Sequence, residues 1–304
     1  MLYPDFNDLI AFKGRKLNLI HFSSRSVKST RSGNHHSPFR GQGLEFDSVR
    51  EYVPGDDIRN IDWRVTARTG FPHLKLFKEE RERQIVICID MNSSMRFGTR
   101  KTFKSVQAAH VAALLGWQGL AHQDRVSACL FGDVSNGIQF FAPQRTRASF
   151  CSLLKTLTKP PSEQHSISLD KAAQYIAQTT HAGSLVYLIS DFMDIHENFS
   201  QEPGICQLKK RSDLICIAIN DQADKAIYPI GTIGFCRNQT EKIYINTESV
   251  AGRDAYAAQW TKNRQWLYEM TSRLKIPLIE LSTESDPRRD LIQGLKAIAK
   301  RKKR

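Results

Sequence analysis

From Gln84 onward the chain alternates short apolar runs with longer segments whose apolar positions recur every three or four residues. The runs "QIVICID" (84–90), "RVSACLFGD" (125–133), "SLVYLISDF" (184–192), "DLICIAIND" (213–221) and "IPLIELST" (276–283) are rich in β-branched residues and bounded by charge. That pattern predicts strands buried on both faces. "KTFKSVQAAHVAALLGWQGLAHQ" (101–123), "RASFCSLLKTLTK" (147–159), "SLDKAAQYIAQTTHAG" (168–183), "AYAAQWTKNRQWLYEMTSRL" (255–274) and "DLIQGLKAIAKR" (290–301) carry the helical period. Ser168 suits an N-cap and Gly183 a C-terminal stop. Asn136-Gly137 marks a turn into a further strand, "GIQFFAPQ", and 226–247 reads as a β-hairpin turning near Asn238. Alternating strand and helix predicts an α/β domain, a mainly parallel sheet with helices on both faces. Functional residues of such sheets gather at the carboxyl ends of the strands.

Before residue 84 the texture differs. Residues 25–43, "RSVKSTRSGNHHSPFRGQG", read as an irregular arm. His35 and His36 lack partners at ligand spacing and fit a loop better than a metal site. We therefore expect an N-terminal irregular and β subdomain over 1–83 and the α/β domain over 84–304. Composition changes this picture in two ways. The net charge of +13, with "KRKKR" closing the chain, favours anionic partners, although terminal charge runs usually form solvated faces. The six cysteines form no C-x-x-C pair, and Cys88, Cys129 and Cys216 lie inside strands as small hydrophobes. With no signal-like N-terminus and no apolar run of membrane-spanning length, a cytoplasmic protein is expected.

Two strand ends carry candidate chemistry. "DMNSSMRFG" places Asp90 where the first strand of the α/β domain runs out, and "SDFMD" does the same for Asp191. Asn92 and Ser94 follow at alternate positions. Hard oxygens in this arrangement suit Mg²⁺ or Mn²⁺; equally, each aspartate could cap the helix that follows. The spacing D-x-N-x-S resembles the D-x-S-x-S of the von Willebrand factor A fold and its metal-ion-dependent adhesion site. That resemblance implies an ion held by Asp90, Asn92, Ser94 and Asp191, with Ser168 (or Ser166, or the weaker Thr146) where the family has a threonine. Asn92 departs from the family's serine.

The stretch 41–82 contains "REYVPGDDIRNIDWRVTAR" (50–68), with Asp56, Asp57 and Asp62 among arginines beside Trp63. Gly41, Gly43, Glu45, Phe46, Arg50, Tyr52, Gly55, Asp56, Asp57, Arg59, Ile61, Asp62, Trp63, Ala67, Arg68, Lys75 and Glu80 resemble the signature of the Domain of Unknown Function 58 family, in its short soluble form. The resemblance implies a von Willebrand A-like adaptor associated with a MoxR-type AAA+ ATPase and a client protein. Its signature residues Arg50, Asp56, Asp57, Arg59, Asp62, Trp63 and Arg68 serve structure or docking. We expect the three aspartates to pair with arginines or cap amides in a buried clamp, with Trp63 packed on the following domain. Two other classes stay open. Asp56, Asp57 and Asp62 could hold metals in a nuclease or phosphoesterase if they converged. The basic charge could bind nucleic acid nonspecifically, with strong salt dependence. No P-loop, G-x-S-x-G, dinucleotide-binding glycine pattern or HExxH is present.

Overall fold

The computed structural model describes residues 3–15, 44–79, 84–160, 165–236 and 242–303. The His35–His36 pair and the hairpin turn near Asn238 lie outside them. The chain forms two compact units, Val27–Glu82, and Met1–Ser26 together with Arg83–Arg304. A break thus falls at Glu82/Arg83, while the chain start groups with the larger unit rather than with the signature segment. The reason is helix α1 (Phe6–Ala11), which fully buries Leu9 and whose Leu9 carbonyl accepts a 2.9 Å hydrogen bond from Trp117 Nε1.

In the smaller unit, β1 (Leu44–Glu51) pairs antiparallel with β2 (His73–Glu79) around the short helix α2 (Trp63–Thr69). Asp62 caps α2, and Gly70 ends it at φ 78°, a left-handed conformation suited to glycine.

The larger unit runs β3 (Gln84–Met91), α3 (Lys104–Ala121), β4 (Arg125–Gly132), β5 (Ile138–Gln144), α4 (Arg147–Leu157), α5 (Leu169–Thr179) and β6 (Leu185–Ser190). It continues with α6 (Pro203–Arg211), β7 (Asp213–Asn220), α7 (Gln222–Lys225), β8 (Thr232–Cys236), β9 (Lys242–Asn246), α8 (Val250–Arg273), β10 (Leu278–Ser282) and α9 (Pro287–Lys303). Six strands form one sheet in the order β10-β7-β6-β3-β4-β5, parallel except for β5. This is the mainly parallel α/β architecture that the sequence pattern predicts, of the von Willebrand A-like kind that the resemblance implies. Asn136 (φ 58°) and Gly137 (φ 76°) supply the turn that reverses β5 against β4. Strands β8 and β9 form the separate antiparallel hairpin.

Side-chain alternation divides the core. Ile85, Ile87 and Ile89 face one cluster with Leu114, Leu154 and Leu295, from α3, α4 and α9. Val86 and Cys88 face the other, with Ile176, Leu208 and Leu267 from α5, α6 and α8. Both faces are therefore covered, which is why these strands read as continuous apolar runs rather than alternating ones. No helix of the described residues is long and apolar enough to cross a membrane.

Candidate functional site

The parallel register aligns Ile89 with Ile189, so β3 and β6 run out side by side, carrying Asp90 and Asp191 at one edge of the sheet. Asp90 is buried. Its Oδ2 accepts from the Ser190 hydroxyl at 2.6 Å and its Oδ1 from the backbone N–H of Asn92 at 2.9 Å. Burial, reinforced by the negative charge of Asp191, pushes the Asp90 carboxyl up to about 8. The Asn92 side chain is used at both ends: Nδ2 donates to the Ile167 carbonyl at 3.0 Å, and Oδ1 accepts from Ile167 N at 3.2 Å. This ties the segment before α5 to the strand end. Ser168 thus comes to the expected neighbourhood, but it is exposed and its hydroxyl caps α5 by accepting from Lys171 N. Ser94 is half-buried in the single turn Ser93–Met95.

Asp191 has a cation beside it. The Nζ of Lys104, the first residue of α3, lies 2.9 Å from Asp191 Oδ2 and 3.0 Å from Asp224 Oδ1, and the lysine is 1% exposed. Burial alone would depress the ammonium's pKa. The pull of Asp191 and Asp224 outweighs it, and Lys104 stays charged with its pKa raised. Asp191 Oδ1 accepts from Met193 N at 3.2 Å, and the Arg264 guanidinium donates to the Asp191 carbonyl oxygen. Arg264 also reaches Asn220 Oδ1 at 3.0 Å, joining the end of β7 to the same cluster. Asp224 in turn accepts from Asp221 N at 2.8 Å, and Asp221 accepts from the hydroxyls of Thr99 and Thr283, both at 2.6 Å. Four loops at the strand ends are thereby tied together by these side chains, with the buried Arg264 Nε left without a partner. Two further acids hold backbone: Asp133 pairs with Arg96 and accepts from His165 N, while Asp194 accepts from Leu169 N at 2.8 Å.

In the smaller unit the aspartates each act locally. Asp56 pairs with Arg50 at 2.7 Å and accepts from Val53 N at 3.0 Å, and the guanidinium holds its carboxyl below the usual range. Asp57 caps the turn Ile58–Asn60 through Arg59 N at 3.0 Å. Asp62 caps α2 through Arg64 N and Val65 N at 3.0 and 3.2 Å, with Lys75 at 3.9 Å. Pairing and capping are as expected, with two corrections. The network lies at the surface, so removing one partner costs far less than it would in a buried one. Trp63 is 68% exposed rather than packed, because the first turn of α2 presents it outward, while Arg59, Arg64 and Arg68 are exposed as well. The three carboxylates, each turned to its own partner, do not form the convergent cluster that two-metal chemistry needs.

The family described as "Protein of unknown function DUF58" matches residues 48–266. The chain belongs to this family. The uncharacterized protein Rv1480 of Mycobacterium tuberculosis is 25% identical over 265 residues, spanning 86% of this chain and 81% of that protein. The uncharacterized protein Mb1516 of Mycobacterium bovis matches equally. Among solved structures, the conserved hypothetical protein BatB of Bacteroides thetaiotaomicron aligns with 72% of this DUF58 chain and 99% of its own, at TM-score 0.45 and 14% identity. The SpRpn10 VWA domain aligns with 70% of this chain and 94% of its own, at TM-score 0.41 and 12% identity. Strand order and direction, rather than these distant likenesses, define the fold described above. Such a fold is compatible with protein–protein interaction.

The donors of this DUF58 protein do not fit a divalent ion. A preformed ion site leaves buried acceptor oxygens without partners. Here no oxygen of Asp90, Asn92, Ser94, Ser168 or Asp191 is buried and unpartnered. Among the described residues, no group of three or more His, Cys, Asp and Glu side chains is arranged to hold a metal. Lys104, Asp224 and Arg264 were not among the residues expected to matter. A lysine opening a helix is the signal for Lys104, since the positive end of the helix dipole disfavours it unless carboxylates wait nearby. For Asp224 the signal is the D-x-x-D of Asp221 and Asp224, which forms a capping box. A cavity of about 220 Å³ near β5 and α4, lined by Val126, Phe141, Phe150 and Leu153, has no titratable side chain and lies apart from these acids.

Proposed function

We propose that this DUF58 protein is a non-enzymatic interaction module that works with a MoxR-type AAA+ ATPase in protein maturation or complex assembly. The ATPase comes from the family resemblance; the docking surface is argued from Trp63. This large aromatic is 68% exposed on a helix whose cap and flanking acids are satisfied locally, so no internal role accounts for it. Val53, Ile58 and Phe71, all more than half exposed, lie in the same small unit, with Arg59, Arg64 and Arg68 also exposed. Aromatic and arginine side chains are the residues that most often dominate protein interfaces. The acids Asp56, Asp57 and Asp62 shape this surface rather than act on a substrate.

Binding of purified full-length protein to a purified MoxR-type ATPase of the same organism tests the reading. Wild type is expected to bind, and Trp63→Ala to bind at least about tenfold more weakly, as for an aromatic hot spot. Equal binding by both would move the interface elsewhere. No binding by wild type would remove the ATPase as partner. Binding to random duplex DNA at physiological salt, with a steep salt dependence, would instead favour the nucleic-acid role.

A further inference from the structure

The strand ends of β3 and β6 are where the resemblance to the von Willebrand A fold puts a divalent ion, and the side chains there are engaged otherwise. Lys104 reaches Asp191 at 2.9 Å and Asp224 at 3.0 Å from a position 1% exposed. The second oxygen of Asp191 already accepts from Met193 N, and both ends of the Asn92 amide are bonded to Ile167. A divalent ion on Asp191 would stand beside a buried ammonium, a like-charge contact in a low-dielectric setting. It would also have to take Asp191 from the lysine, leaving that buried ammonium with Asp224 as its one remaining carboxylate.

We infer that the Lys104 ammonium takes the electrostatic place of the metal ion, so that the strand-end site of this protein is a built-in lysine–carboxylate lock that does not bind Mg²⁺ or Mn²⁺. The lock joins α3 to the end of β6 and to α7, and Arg264 adds α8 through the Asp191 carbonyl and Asn220. A partner therefore cannot dock here by offering a carboxylate to an open coordination position. Any docking at this edge would use hydrogen bonds or apolar contact instead. The inference concerns the cation only and holds whether or not the ATPase reading does.

The test needs no partner. Purified full-length protein, stripped with a chelator, is titrated with MnCl₂ and with MgCl₂ by calorimetry, and its Tm is compared in chelator and in millimolar metal. The expected result is no saturable binding and an unchanged Tm. One saturable ion per chain, abolished by Asp191→Asn, would overturn the inference. A second arm reads the lock itself. Lys104→Met is expected to lower Tm sharply or to prevent folding, and adding Asp191→Asn and Asp224→Asn to it should recover much of the loss. If Lys104→Met costs as much with both aspartates replaced as with both present, the lysine is not held there by charge and the inference fails.

Discussion

Asp90 and Trp63 show how far a residue's surroundings change what its type implies. A carboxyl at a strand end is ordinarily ionised at neutral pH; here burial and Asp191 raise it to about 8. The folded chain therefore keeps a proton that the unfolded chain releases above the ordinary value of 3.8. Stability must fall as pH rises from that value to about 8 and then level off, with a slope of at most about 1.4 kcal/mol per pH unit. Urea unfolding between pH 5 and 9 should show this slope in wild type and a flatter profile in Asp90→Asn, whose amide carries no proton to lose. An equal slope in both would assign the dependence to another group. For Trp63 the expectation is the reverse of what its size suggests. Trp63→Ala should shift stability by no more than about 0.5 kcal/mol in the same assay, because the ring buries little.

Elements were legible in proportion to how much of their pattern came from burial. The strands β3, β4, β6 and β7 are buried almost throughout, and their apolar runs reveal them directly. Helix α6 was not anticipated: its buried residues are Gly204, Ile205 and Leu208, and its last turn is Lys209, Lys210 and Arg211. Helix α2, seven residues with none buried, has no apolar stripe to read and is held by its cap. Asp62→Ala should therefore cost about 1 kcal/mol locally and speed hydrogen exchange at the Arg64 and Val65 amides, while β3 amides remain protected. Gly132 carries the opposite lesson at the end of β4. It sits at φ 109°, and a Cβ there would come 2.5 Å from Asn92 N. Gly132→Ala should lower the urea midpoint, with a loss of about 1–3 kcal/mol, by pushing the Asn92 segment off the strand end.

For the whole molecule, the fold class and the two strand-end aspartates could be read from the chain because both follow from local pattern. The partners of those aspartates could not. Lys104 is 87 residues from Asp191 and 120 from Asp224 along the chain, and Arg264 is 73 from Asp191. No local spacing encodes such meetings; the topology of the sheet brings them together. The divalent ion was implied by a resemblance carried on Asp90, Asn92 and Ser94, which lie together in the sequence, whereas nothing in the sequence pairs Lys104 with Asp191. These separations also bear on kinetics. The contacts that join α3 and α8 to β6, and α3 to α7, each close a loop of 73 to 120 residues, which suits a late step in folding. Lys104 then acts as a brake on escape from the native state more than as a guide into it. In a chevron analysis, Lys104→Met should steepen the loss through faster unfolding and leave the refolding rate nearly unchanged.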